Sequence, residues 1–176
     1  MDKKSIAFGF LVGVLVTVGV CFFLLNKSRQ IPSSIINDTR TATQSKGISM
    51  RIRIASIFVD DQGMALKFYT EKLGFMKKDD IPIGDFRWLT VVSPDAPEGM
   101  ELLLEPNAHK SAKAFQKAIF EDSIPATILF ADDIQQEYER LKQLGVEFTT
   151  EPTKAGTVTI AVFDDTCGNL IQLVEQ

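Results

Sequence analysis

Histidine and cysteine are nearly absent from this sequence: 176 residues contain one histidine, His109, and two cysteines, Cys21 and Cys167. Cys21 falls in an apolar N-terminal run, so Cys167 has no partner later in the chain and no disulfide can brace that part. Either redox compartment is therefore open. One histidine argues against the imidazole-rich sites that hold Zn²⁺ or Ni²⁺. With no base near Cys167 in sequence, it also argues against a Ser or Cys nucleophile. His109 itself stands in Pro106–Lys110, at the start of a helical stretch, and reads as a surface or capping residue.

An excess of positive charge is also missing. Six of the 19 Lys and Arg, and two of the 23 Asp and Glu, lie in residues 1–50, leaving 13 basic against 21 acidic residues and a formal charge of −8 beyond them. Nucleic acid is a poor partner for such a domain, because phosphate neutralisation needs clustered cations. Lys110, Lys113 and Lys117 do recur at helical spacing, which reads as one solvated face of a connecting helix.

Long apolar runs are absent except at the beginning. Ile6–Leu25 carries no charge over twenty residues and is preceded by Lys3 and Lys4. At about 1.5 Å per residue it spans a hydrocarbon core of about 30 Å. It ends in Cys-Phe-Phe-Leu-Leu-Asn-Lys without the small residues a signal peptidase needs, so residues 1–25 are expected to be an uncleaved single-pass anchor. Lys27 and Arg29 nearly balance Lys3 and Lys4 across the run. The short basic N-terminal tail favours a cytoplasmic N-terminus and a domain on the extracytoplasmic side. Residues 26–50, rich in Ser and Thr with little apolar periodicity, are expected to be a flexible linker. Residues 51–176 suit one domain with a real core.

Within that domain a pattern occurs twice. Asp60–Phe75 reads DDQGMALKFYTEKLGF, an amphipathic helix that opens on acids and closes on a glycine; Ile52–Val59 before it is β-branched and apolar. Ala131–Phe148 repeats the scheme as ADDIQQEYERLKQLGVEF. Asp61 and Asp132 each precede a glycine, Gly74 and Gly145, by 13 residues, and an ungapped offset of 71 pairs Leu73 with Leu144, Leu102 with Leu173 and Glu101 with Gln172. One βαβββ module used twice, giving two halves of a single α+β domain, accounts for this.

The strand–DD–helix–FYTEKLGF unit, its duplication and the final DDTCGNLIQL resemble the vicinal oxygen chelate superfamily, which includes glyoxalase I, bleomycin resistance proteins and extradiol dioxygenases. The resemblance spans roughly Arg51 to Gln176. It implies a glyoxalase-like paired-sheet barrel, formed within one chain or across a homodimer, and does not fix an activity. It also implies four ligand positions for a divalent ion, which fall here on Ile54, Glu101, Ala126 and Gln172. Isoleucine and alanine offer no lone pair, and two oxygen ligands hold such ions poorly. No cofactor is therefore expected, and the usual metal chemistry of the family is disfavoured.

Strand alternation indicates which side chains face the cavity. With Val158, Ile160 and Val162 under the helix, Thr159 and Ala161 face the concave side; the same offset carries that face to Trp88 and Thr90. In the first strand Ile54, Ser56 and Phe58 share it. The candidate ligand-binding set is Ser56, Phe58, Trp88, Thr90, Glu101, Phe130, Thr159 and Gln172, with aromatic walls and two polar handles. Three functions are open: a module that binds an unidentified small molecule without metal, a metal-independent lyase or isomerase using Glu101 as general base in an apolar cavity, and a protein-interaction domain with no small-molecule role.

Overall fold

The computed structural model of the chain describes residues 50–175, and Met50–Gln176 is one compact unit. Ile6–Leu25 and nearly all of the expected linker lie outside the described residues. Among the described residues no helix is long and apolar enough to cross a membrane.

Two βαβββ modules are present. The first runs β1 (Ile54–Val59), α1 (Gln62–Lys67) continued as a π-helical stretch Phe68–Lys72, β2 (Met76–Ile83), β3 (Phe86–Val92) and β4 (Glu101–Pro106). After the connecting helix α2 (Lys110–Glu121) come β5 (Thr127–Ala131), α3 (Ile134–Gln143), β6 (Phe148–Ala155), β7 (Val158–Asp164) and β8 (Leu170–Glu175). Each module makes its own four-stranded sheet, ordered β1-β4-β3-β2 and β5-β8-β7-β6. The edge strands β1 and β5 each pair in parallel with one neighbour. No ladder joins the two sheets among the described residues, so the paired sheets are not closed into a barrel by strand hydrogen bonds.

Local chemistry sets these boundaries. Asp61 Oδ1 caps α1, accepting from the Gly63 and Met64 amides at 2.7 and 2.8 Å; Asp133 Oδ1 caps α3 through the Gln136 amide at 2.9 Å. Both satisfy amides that the first helical turn leaves unpaired. The cap of the second helix is thus Asp133 rather than Asp132. His109 Nδ1 accepts from the Ser111 amide at 3.2 Å and caps α2, the role its position suggested.

The core lies between the helices and the sheets and runs through both modules. Ile57, Val59, Leu89, Val91 and Leu104 of the first sheet meet Ala65, Phe68 and Tyr69; Ala161, Phe163, Ile171 and Leu173 of the second meet Ile134 and Leu141. Phe68 stands 6.3 Å, ring centre to ring centre, from Phe163, and Arg140 Nη1 donates to the Lys72 carbonyl at 2.9 Å. The two modules therefore share one apolar interior rather than two small ones.

A buried polar cluster ties the ends of that interior together. Asp165, in the β7–β8 turn, accepts from the amides of Cys167 and Asn169 at 2.8 and 2.9 Å, from Asn169 Nδ2 at 2.8 Å and from the Tyr69 hydroxyl at 3.1 Å. Gln116 of α2 donates through Nε2 to the carbonyls of Phe58 and Cys167 at 2.8 and 3.0 Å and accepts from Asn107 Nδ2 at 2.6 Å. Gly168 has φ of +93°, and a Cβ there would stand 2.8 Å from Gln116 Nε2, so glycine is required on both counts. Burial pushes the Cys167 thiol up to about 12, with the Asp165 carboxylate adding to the effect, which leaves it protonated and unreactive.

Candidate functional site

The faces of the two sheets turned away from the module helices α1 and α3 carry most of the chemistry-bearing residues. In β3, Leu89 and Val91 enter the core, so Trp88 and Thr90 point the other way; in β1, Ile57 and Val59 leave Ser56 and Phe58 on that outer face. Ladder pairings arrange the first sheet's outer face in rows. Ile54, Glu101 and Val92 form one, and Ser56, Leu103 and Thr90 the next. Phe58 pairs with Glu105, and the same register continued sets Trp88 beside Glu105.

The second sheet does not follow the ungapped repeat. The helix caps Asp61 and Asp133, and the hairpin glycines Gly84 and Gly156, are each 72 residues apart rather than 71. A slip of one residue exchanges the faces of a strand. Thr159 therefore shares the helix-side face of Ala161 and Phe163, which belong to the core, and not the outer face expected of it. Its hydroxyl donates to Glu175 Oε2 at 2.9 Å and accepts from Lys154 Nζ at 3.1 Å. Val158, Ile160 and Val162, expected under the helix, are the outward set, and Val158 is exposed.

The loops explain the rest of the discrepancy. Eight residues, Ser93–Met100, join β3 to β4, whereas five, Asp165–Asn169, join β7 to β8. The offset thus falls from 72 to 69 at the last strand. The row Ile54–Glu101–Val92 has its counterpart in Ala126–Leu170–Asp164, where the Ala126 amide donates to the Leu170 carbonyl at 2.8 Å and Leu170 pairs with Asp164. Ile128–Gln172–Val162 matches Ser56–Leu103–Thr90, and Phe130–Val174–Ile160 matches Phe58–Glu105–Trp88. Glu101 and Gln172 share the outer faces but are not equivalent positions. Gln172 sits between Ile128 and Val162, one row away from the position equivalent to Glu101.

This geometry bears directly on the metal that the family resemblance implies. Taking Ile54 and Ala126 with the symmetric pair Glu101 and Leu170 gives four positions with one oxygen-bearing side chain. Replacing that pair by Leu103 and Gln172 again gives one. Neither donor set fits a divalent ion of the Zn²⁺, Ni²⁺ or Fe²⁺ type. Among the described residues no group of three or more His, Cys, Asp or Glu is placed to hold one.

Glu101 is buried at 8 % exposure, and its carboxylate is met by Lys78 of β2, with Nζ 3.5 Å from Oε1. Thr90 is fully buried, and its hydroxyl accepts from the Asp79 amide at 3.2 Å. Trp88 Nε1 is buried without a hydrogen-bond partner among the described residues. Two residues of this face escaped the sequence reading. Glu105 follows Glu101 at a four-residue spacing, the strand period twice over, which was legible. Lys78 reaches the face beside an extra residue in β2, which was not.

The candidate residues do not line one cavity. Ser56 and Phe58 border a hollow of about 220 Å³ against Phe115, Gln116 and Ile124. Phe130, 64 % exposed, borders another of about 390 Å³ with Leu73, Phe75, Asp95, Asp132 and Phe163. Trp88, Thr90, Glu101 and Gln172 line neither.

Paired βαβββ modules, each sheet ordered 1-4-3-2 with its helix on one face, define the glyoxalase-like class of α+β proteins. The chain belongs to the Glyoxalase/Bleomycin resistance protein/Dioxygenase superfamily, whose sequence model matches residues 51–173. It is 66 % identical over 127 residues to YurT of Bacillus subtilis (strain 168), a match that covers 72 % of this chain and 100 % of that one. Among solved structures it is similar to UcmS2, at 37 % identity and a TM-score of 0.65, over 73 % of this chain and 100 % of the other. TnmS3, an antibiotic binding protein from Streptomyces sp. CB03234, aligns at 27 % identity with a TM-score of 0.56, over 72 % and 96 % of the two chains.

Proposed function

We propose that the domain is a metal-free module that binds a small molecule, held at a membrane by residues 6–25. The observation that carries this reading is the donor count. Both symmetric readings of the four implied ligand positions contain one oxygen-bearing side chain, set among Ile54, Ala126 and a leucine. The similarity to TnmS3, an antibiotic binding protein, supports a small-molecule binding role. The aromatic and polar row Phe58–Glu105–Trp88 is the part of the outer face best equipped to hold a flat, largely apolar molecule. Glu101 is less suited to act as a general base than the sequence suggested, since Lys78 already engages its carboxylate.

The test combines elemental analysis of the purified protein with a thermal-shift screen of aromatic natural products. A ligand that binds the native state alone raises its melting temperature by mass action. A hit whose shift is lost in Trp88→Ala supports the reading; stoichiometric metal whose removal unfolds the domain would overturn it.

The tether rests on the uncharged run Ile6–Leu25, with the domain on the extracytoplasmic side. Full-length protein in the membrane fraction is the expected result, and a soluble native species beginning after residue 21 would contradict it. Ile128 and Phe130, exposed side by side on the second sheet's outer face, favour a homodimer that covers them. Light scattering on Phe130→Asp, with a monomer expected, checks that contact.

A further inference from the structure

We propose that Lys78 is the resident cation of the Glu101 site: its ammonium takes the charge-balancing place that a divalent ion would take beside this carboxylate, and so closes that face to metal. The inference rests on the metal-free reading above and adds the device that enforces it.

The ammonium has three N–H donors, and three oxygens surround it. Lys78 Nζ donates to the Pro97 carbonyl at 3.0 Å and lies 3.5 Å from Glu101 Oε1 and 3.6 Å from Glu98 Oε2. Pro97 and Glu98 belong to the Ser93–Met100 loop and Glu101 opens β4, so one side chain of β2 pins the loop to the sheet. The Lys78 and Glu101 side chains are 23 % and 10 % exposed, which screens their attraction far less than that of a surface pair.

Backbone register delivers the lysine. Lys77 pairs with Val91 and Asp80 with Leu89, so β2 contains one residue more than β3 over this span. Lys77, opposite Val91, takes the helix side, and Lys78 therefore turns to the face shared by Thr90, Val92 and Glu101. The neighbouring charges are already matched. Asp80 is held by Arg87 at 2.8 and 2.7 Å and by Lys77 at 3.1 Å, so it does not compete for Lys78. Among the described residues Lys78 is the cation within reach of Glu101. A metal ion arriving at this carboxylate would meet a fixed positive charge at contact distance.

The experiment supplies a second donor and asks whether Lys78 still blocks the site. Ile54 is the ladder partner of Glu101, so Ile54→His sets an imidazole beside the carboxylate. YurT corresponds to this domain over its whole length, which justifies using residues 50–176 alone. Zinc binding is measured by calorimetry for the unmodified domain, Ile54→His, Ile54→His/Lys78→Met, and the latter with Glu101→Gln. The expected result is no stoichiometric zinc in the first two. The double variant should bind one zinc at least about tenfold more tightly than Ile54→His, and Glu101→Gln should abolish that gain. Equal binding by Ile54→His and the double variant overturns the proposal, as does binding by neither. Stoichiometric zinc in the unmodified domain would instead overturn the metal-free reading on which it stands. If Lys78→Met does not fold, Ile54→His/Lys78→Gln takes its place in the same comparison, and a zinc affinity equal to that of Ile54→His overturns the proposal.

Discussion

The Tyr69 hydroxyl donates to Asp165 Oδ2 at 3.1 Å across 96 residues of sequence, joining the first module's helix to the last turn of the second. Both groups are fully buried. Burial holds the Tyr69 phenol well above its usual range, with the Asp165 carboxylate reinforcing it, so the hydroxyl keeps its proton and remains a donor. Burial also holds the Asp165 carboxyl above its usual range, against the donors from Asn169, Cys167 and Tyr69 that favour the ionised form.

Tyr69→Phe should therefore cost about 1–2 kcal/mol, the loss of one hydrogen bond to a buried charged group with little change in volume. Urea denaturation of the domain at neutral pH measures it. No loss of stability would show that the remaining donors suffice for Asp165.

Gly168→Ala and Gly145→Ala should differ. Both glycines have positive φ, +93° and +77°, but a Cβ at Gly145 meets nothing within 4 Å whereas one at Gly168 would collide with Gln116. The expected cost is about 1 kcal/mol at Gly145, from the backbone alone, and about 3 kcal/mol or more at Gly168, where Gln116 must also give up its bonds. Comparable melting temperatures for the two variants would remove Gln116 from the argument.

Glu101→Gln should destabilise the domain by about 1–3 kcal/mol, because it leaves the mostly buried Lys78 ammonium without its buried charged partner and with only the exposed Glu98 carboxylate. A carboxylate retained for a ligand at some cost to the fold would give the opposite outcome. Thermal melts of Glu101→Gln, Lys78→Met and the double variant separate the two, since a real pair gives a double variant less damaged than the sum.

Acid should weaken one surface pair in a defined window. Hydrogen bonds from Arg87 and then Lys77 lower Asp80 from 3.8 to about 2. A depressed carboxylate contributes stability above its unfolded value and loses it as pH falls, here between about 4 and 2. The pair is exposed, so the contribution is below about 1 kcal/mol. Asp80→Asn should match the parent protein below pH 2 and be the less stable above pH 4, as read from urea midpoints across that range.

The fold was legible because its signals are local. The DD pairs, the LG stops and the alternation in each strand announce the modules without knowledge of their packing. The site was less legible because it depends on registration over long spans. A constant offset of 71 is the compromise between 72 in the early strands and 69 in the last, and the compromise has the wrong parity for β7. An error of one residue in β7 sent Thr159 to the wrong face, and an error of two in β8 made equivalents of Glu101 and Gln172, which the unequal loops Ser93–Met100 and Asp165–Asn169 keep apart. Lys78 was invisible for a related reason. Its position follows from an extra residue in β2 whose bulge leaves no mark in composition.

The state of Cys167 has a practical side. Its side chain is fully buried and its thiol is held up at about 12, and it is the sole cysteine of residues 50–176. Thiol-directed reagents should pass it by while the domain is folded. A cysteine introduced at an exposed position such as Ser56 would then be the single labelling point, with no need to remove the native one. A fluorophore placed there would report directly on what reaches the outer face of the first sheet.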